Sequence, residues 1–414
     1  MRWALMAIST LVVSLAAPSL GVGQQPANRI SLDEALQLAL RQNPTLMAQQ
    51  AALFATKAGE TTAALRPNPT MNFLAEQFRP GQSQQDAQYT VNVGQPIELG
   101  GKRQRRIDSA RAATQVAKYQ LDDARRLVVL QVKSAFAGAL IAREQLGLAE
   151  ANLKTLDDTE RIQRLRAQKG DISELELLRI EVQRFTFARD AADARQALTA
   201  AKIALRTAAG AVNIPEDFEV AGELDFKDVS LDRAVLVQRA LGNRPDLRAA
   251  EADRQRARAD HRLARANAWW DLTPQLEYQR IGPDDTIGFG FSFPLRIFDR
   301  NQGEIARTEA EITRVDAVRE AAALQVLAAL ETDRQAALTQ RDRVLSLRDV
   351  YLPKATQARD TVEYAYRRGG QSLLDFLDAQ RSYRETALAH LQALGAYLSA
   401  VYQLEADTGA PLDQ

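Results

Sequence analysis

The chain has no cysteine. That excludes disulfides, thiolate metal sites and the acylated cysteine of a bacterial lipoprotein. Its two histidines, His261 and His390, lie far apart in polar, helix-like stretches. An imidazole on such a face is ordinarily just solvated. Beyond the amino-terminal stretch only Met47 and Met71 supply thioethers, so soft or imidazole-based metal coordination by one chain is disfavoured. Lysine plus arginine equals aspartate plus glutamate, 53 of each, and this balance indicates no polyanion or nucleic-acid partner. Enzyme signatures are missing too. There is no cysteine nucleophile, and no phosphate-binding glycine loop is present, because Gly288-Phe289-Gly290 sits in strand alternation. The expectation is a protein that is not an enzyme and needs no cofactor or resident metal.

Long apolar runs are also scarce. The one from Ala4 to Ala17 follows Met1-Arg2 and precedes Gly21 and Gly23. This reads as a signal peptide over residues 1–23, cut before Gln24. The run is short for a bilayer span, and no later segment reaches the ~18 uninterrupted apolar residues of a transmembrane helix. An exported protein without an inner-membrane anchor is expected.

What is present comes twice. Ser31-Leu32-Asp33-Glu34-Ala35, leading to Pro44 and Leu46, returns about 200 residues later as Ser230-Leu231-Asp232-Arg233-Ala234, leading to Pro245 and Leu247. Gln95-Pro96-Ile97-Glu98-Leu99 returns as Phe293-Pro294-Leu295-Arg296-Ile297, and the break at Lys169-Gly170 returns as Gly369-Gly370. Three landmarks in one order at one offset describe a duplicated half-protein. The halves are expected at residues 24–213 and 245–414, joined by a segment over 214–244.

Most of each half favours helix. Lys102 to Lys169 holds no proline and almost no glycine, and would span about 100 Å as one helix. Val129, Val132, Phe136 and Leu140 repeat at helical spacing, as do Leu146, Ala149, Leu153 and Leu156, and later Tyr351, Ala355, Ala358, Val362 and Ala365. Such stripes pack helices along their length, and an ordinary coiled coil would show them too. The shorter helices after Pro44 and Gly170 together nearly equal the long run between them, and the second half repeats the balance around Gln302 to Arg368. Two short helices stacked beside one long one would build a tube wall.

Between the helices lie stretches of period two. Tyr89-Thr90-Val91-Asn92-Val93-Gly94 and Ile287-Gly288-Phe289-Gly290-Phe291-Ser292-Phe293 place large apolar residues on one face and Gly, Ser, Thr or Asn on the other. With partners near Thr70 to Phe78 and Pro274 to Ile281, and turns at Arg79-Pro80-Gly81 and Gly282-Pro283-Asp284-Asp285, each half gains one hairpin, within 70–97 and 273–296. Apolar-out, small-polar-in strands suit a transmembrane β-barrel. Four strands cannot enclose a lumen, so closure requires other copies. Trp269-Trp270 fits an interfacial anchor or buried packing alike. Lys102, Arg103, Arg105, Arg106 and Arg300 fit a lipid-headgroup boundary or a solvated face.

Three stretches carry a family resemblance: Gln95 to Arg103, Phe293 to Gly303 and Gly370 to Arg381. Over essentially the whole mature chain the sequence resembles the TolC-like outer-membrane efflux protein family. The first two stretches look most similar to its CzcC-like branch, which serves cobalt–zinc–cadmium exporters. The resemblance implies a mainly α fold with a small β part: a long antiparallel α-helical barrel continuous with a transmembrane β-barrel, four strands per chain and twelve in a homotrimer. It also implies a passive exit duct in the outer membrane of a Gram-negative bacterium, extending into the periplasm. The implied partners are a periplasmic adaptor, an inner-membrane resistance–nodulation–division (RND) pump and outer-membrane lipid. Tyr366, Asp375 and Asp378 match the family's periplasmic gate. Gln371 stands where members can carry a basic gate residue, with Arg367 and Arg368 close by. Gly170, Asp171 and Glu174, with Gly369 and Gly370, fall where an adaptor docks. Asp375 and Asp378 share a helix face, and Asp375 equally suits a helix start through the dipole. A multidrug or type I protein-secretion duct, or a soluble periplasmic coiled-coil scaffold, is the alternative.

Overall fold

The computed structural model describes residues 29–77, 87–210 and 214–412. The expected signal peptide, the turn at Arg79-Pro80-Gly81 and the boundary at residue 213 lie outside the described residues. One series of elements occurs twice. It is first β1 (Arg29–Ile30), α1 (Leu32–Gln42), α2 (Pro44–Ala64), the strands β2 (Thr70–Glu76) and β3 (Gln88–Gly94), then α3 (Lys102–Gln168) and α4 (Glu174–Ala209). It returns as β4 (Glu219–Val220), α5 (Arg233–Asn243), α6 (Pro245–Ala266), β5 (Thr273–Ile281), β6 (Asp284–Ser292), α7 (Gln302–Ser346), α8 (Leu352–Arg367) and α9 (Leu373–Thr408). The entry strands of the two series pair with each other in parallel, β1 against β4.

Local chemistry explains the boundaries. Ser31 opens α1 with a capping box: its Oγ accepts from the Glu34 amide at 3.3 Å, while the Glu34 carboxylate accepts from the Ser31 amide at 2.8 Å. In the second series Arg233 stands in place of Glu34 and cannot close that box. Helix α5 therefore begins later, with Asp232 accepting from the amides of Ala234 and Val235 at 2.8 and 3.1 Å. Pro44 and Pro245 each occupy a first helical position, where no intrahelical N–H is needed. The uninterrupted helix expected from Gln302 to Arg368 instead passes through a π turn at Leu347–Tyr351. Pro353 lacks an N–H and crowds the preceding turn, so the ladder is respaced just before it.

The helices pack side by side as one layer. α3 runs beside α2 and α4, and on its other flank beside α6 and α9, which in turn pack against α7 and α8. The short helices do stack end to end. Asn43, capping α2, donates from Nδ2 to Ala208 O near the end of α4 at 3.0 Å. Gly210 follows at φ +64°, where a Cβ would come within 2.6 Å of Asn43 Cα. In the second series the same junction is an ion pair, Arg244 Nη1 to Asp407 Oδ1 at 2.9 Å. Three apolar cores hold the layer: one around Val132, Phe136, Leu205 and Phe218, one around Leu236, Leu330, Tyr397 and Leu404, and one at the far tip.

The strands form one antiparallel sheet in the order β2-β3-β5-β6. Asp284 and Asp285, expected in the second turn, extend β6, leaving Gly282-Pro283 as the turn itself. The register puts Met71, Phe73, Val91, Val93, Leu276, Tyr278, Ile287, Phe289 and Phe291 on one face. These side chains are largely open, Phe289 at 87% and Phe73 at 65% exposure. The opposite face is mostly Thr, Asn, Gln, Gly and Ser, with Leu74, Ile281 and the carboxylates Glu76, Glu277 and Asp284 among them. Among the described residues no helix is long and apolar enough to cross a membrane; the apolar face belongs to the sheet.

Candidate gate at the helix tips and anchor at the sheet base

At the end remote from the sheet, the α3–α4 and α8–α9 hairpins turn in the same way. Gly170 donates its amide to Ala167 O at 3.0 Å and Asp171 to Arg166 O at 2.9 Å; Gly369 donates to Tyr366 O at 3.0 Å and Gly370 to Ala365 O at 2.9 Å. These are Schellman closures, and they need a left-handed residue. Gly170 at φ +80° and Gly369 at φ +78° supply it, whereas Gly370 does not lie there. Each turn then re-enters helix through a serine. Ser173 Oγ accepts from the Glu176 amide at 3.3 Å and Ser372 Oγ from the Asp375 amide at 3.2 Å.

Tyr366 is buried in the tip core. Its ring stacks on Phe376 at 4.8 Å with the planes 13° apart, and its hydroxyl accepts from Gln163 Nε2 of α3 at 2.5 Å. Burial is the main cause pushing its phenol pKa up. Leu156, Ile180, Phe187 and Leu373 complete the cluster, so Tyr366 ties both hairpins together. Gln163, Phe376 and the serine caps join this site without having been expected there from the sequence. The caps had a local signal, Ser-x-x-Glu and Ser-x-x-Asp; the Gln163 contact, 203 residues away, had none.

Asp375 closes a capping box, its carboxylate accepting from Ser372 Oγ at 2.6 Å and Ser372 N at 3.2 Å. Asp378, one turn on, is exposed and forms no ion pair among the described residues. Arg367 pairs with Glu363 at 2.5 Å and Arg368 lies over the Tyr364 ring at 4.3 Å. Neither reaches Asp375 or Asp378 within one chain. Gln371, Asp171 and Glu174 are exposed on the turns beside them. Among the described residues no group of three or more His, Cys, Asp or Glu could hold a metal ion.

At the sheet base Trp269 lies over Gly100, whose absent Cβ would sit 2.8 Å from Trp269 Cγ, and Trp270 packs on Phe293 at 5.1 Å. Each indole nonetheless keeps an open edge, at 59% and 39% exposure, combining packing with a surface presentation. The basic residues nearby are mostly engaged inward. Lys102 is buried against Asp271 at 2.7 Å, Arg106 pairs with Glu98, and Arg103 Nε donates to Ala64 O at 2.7 Å. These contacts lock the start of α3 to the end of α2 and the entry of β5, which leaves Lys102 in particular unable to face lipid headgroups.

Comparison with known proteins bears on this arrangement. A family model described as outer membrane efflux protein matches residues 35–211 and 236–410. The cobalt-zinc-cadmium resistance protein CzcC of Cupriavidus metallidurans is 29% identical over 393 residues, 92% of this chain and 90% of that protein. The nickel-cobalt-cadmium resistance protein NccC of Alcaligenes xylosoxydans xylosoxydans is 26% identical over 75% of this chain and 71% of its own length. A solved structure of CusC superposes with a TM-score of 0.78 at 17% identity, covering 96% of this chain and 99% of that one, a likeness of fold. The two matched segments cover most of the chain, which belongs to the outer membrane efflux protein family and is an outer-membrane channel protein reaching into the periplasm, not an enzyme.

Proposed function

We propose that three copies of this chain close into one passive exit duct for divalent heavy-metal cations, fed by a periplasmic adaptor and an inner-membrane RND pump. One observation carries the closure. The helical layer and the sheet stop at open edges on the same two sides, β2 with α2 and α4 on one, β6 with α7 and α8 on the other. Unpaired strand edges with an apolar face are not tolerated in lipid. Three four-stranded sheets would supply a twelve-stranded barrel. A stripe of Leu175, Leu178, Val182 and Phe185 on α4, each more than half exposed, waits on that open side. The metal cargo is supported by the relative CzcC, which is matched over nearly its whole length.

In this reading residues 24–213 and 245–414 are the two repeats, joined by 214–244 as a segment about the middle of the helical tube. Tyr366, Asp375, Asp378, Gln371, Arg367 and Arg368 form the periplasmic gate. Gly170, Asp171, Glu174, Gly369 and Gly370 form the surface an adaptor engages. Trp269 and Trp270 sit at the lipid interface. The test is growth of a deletion strain, with and without the chain restored, across zinc, cobalt, cadmium, nickel and copper, and in parallel dyes and detergents. Selective metal sensitivity supports the reading. Sensitivity to organic compounds alone would reassign the duct to multidrug export, and recovery of the protein in the soluble periplasmic fraction would overturn the channel altogether.

A further inference from the structure

The polar face of the sheet carries its charge in one sign only. Across the four strands it presents Thr70, Asn72, Leu74 and Glu76, then Gln88, Thr90, Asn92 and Gly94, then Thr273 to Ile281 and Asp284 to Ser292 in alternate positions. Glu76 and Asp284 stand at the hairpin ends; no lysine or arginine occurs on this face among the described strand residues. Glu277 alone stands at mid-height. It lies in the row Asn72, Asn92, Glu277, Gly288 that crosses all four strands. Asn92 Nδ2 donates to Glu277 Oε2 at 3.3 Å, which holds the side chain on the face. On the other side the strand offers only Gly288 and Gly290, where no side chain covers it.

We propose that Glu277 sets the charge preference of the duct's outer-membrane end, favouring cations over anions. The assignment rests on the reading of the sheet as one third of a closed barrel. There, three-fold repetition turns one carboxylate per chain into a ring at one height, in water but walled by low dielectric, which concentrates its field. Asn92 fixes the height, and the glycines leave the carboxylates open to the lumen. A ring of three charges about 10 Å from a passing ion changes cation-to-anion preference by about fivefold or more at low salt.

The test uses the purified full chain in planar bilayers, with reversal potential read across a KCl gradient near 0.01 M and again near 1 M. Wild type is expected to prefer potassium over chloride. Glu277→Gln, which keeps the Asn92 contact, is expected to lower the permeability ratio about fivefold or more at low salt and little at high salt, where the Debye length is ~3 Å. Asn92→Asp, adding a carboxylate to the same row, is expected to raise the ratio. Channels whose ratio is unmoved by Glu277→Gln would overturn the assignment and leave the duct standing. Should that variant form no channel, an unmoved ratio in Asn92→Asp overturns it equally. No channel from the wild type would overturn the duct reading and this assignment with it.

Discussion

Replacing Asp333 with asparagine should flatten the dependence of stability on pH between about 4 and 7. Asp333 on α7 lies against Asp407 on α9, which is buried at 2% exposure. Asp407 Oδ1 accepts from Arg244 at 2.9 Å, but its Oδ2 is buried and receives no hydrogen bond. A protonated Asp333 would supply that donor. Burial first, then the hydrogen bond and charge of Asp407, push the Asp333 carboxyl from 3.8 up to about 6. The surrounding charges are already committed: Arg244 also holds Asp246 at 2.7 Å, Arg126 of α3 pairs with Asp123 at 2.8 Å, and Lys133 pairs with Glu405 at 2.6 Å.

The sign follows from where the proton is held. The folded state keeps it to higher pH than the unfolded chain does. The stabilisation is therefore complete below pH 3.8 and is lost as pH rises through about 6. A shift of that size has a ceiling of about 3 kcal/mol. Asp333 is only half-buried, and solvent screening reduces this to about 1 kcal/mol. For a chain of this size that corresponds to a Tm difference of about 1–2 °C. Thermal unfolding of the detergent-solubilised protein at pH 4, 5, 6 and 7 should show the wild type losing that increment relative to Asp333→Asn as pH rises. Identical slopes for the two proteins would refute the shared proton.

Arg244→Ala should cost about 3–5 kcal/mol, because it leaves Asp407 buried and uncompensated; replacing Arg244 and Asp407 together with leucine should recover much of the lost Tm. Gly369→Ala should destabilise the α8–α9 turn by about 1–2 kcal/mol, since φ +78° suits glycine, while Gly370→Ala should be nearly neutral; local amide exchange at the tip distinguishes them. Asp375→Ala should lower tip stability by about 1 kcal/mol through loss of its capping box, whereas Asp378→Ala should leave stability unchanged and weaken block by divalent cations in single-channel recordings. Equal effects of the two on block and none on tip exchange would contradict the division of roles drawn between them.

The division between what sequence reveals and what it hides follows the range of the interactions. The glycine and serine pairs at 170 and 173, and at 369 and 372, lie within one turn of the backbone they shape, so the matched tips are readable. So is the alternation of Phe289 and Phe291 with Gly288 and Gly290, because a strand has only two faces. Pro353 inside a helical pattern is itself the warning of the π turn, and Arg233 in place of Glu34 the warning of the later start of α5. By contrast Arg244–Asp407 joins residues 163 apart, and its equivalents in the first series, Asn43 and Ala208, carry no charge to suggest it. Asp375 was ambiguous for another reason: a carboxylate at a helix start satisfies the same local rule whether it caps, gates or does both. The α4 stripe is the instructive case. Leu175, Leu178, Val182 and Phe185 recur at the three- and four-residue spacing that ordinarily marks a buried seam, yet the single chain leaves every one of them open. Burying such a stripe removes apolar surface worth about 25 cal/mol per Å², a gain the lone chain forgoes. The spacing therefore encodes packing against a surface the chain does not itself provide, on the same side where the sheet presents the bare edge of β2.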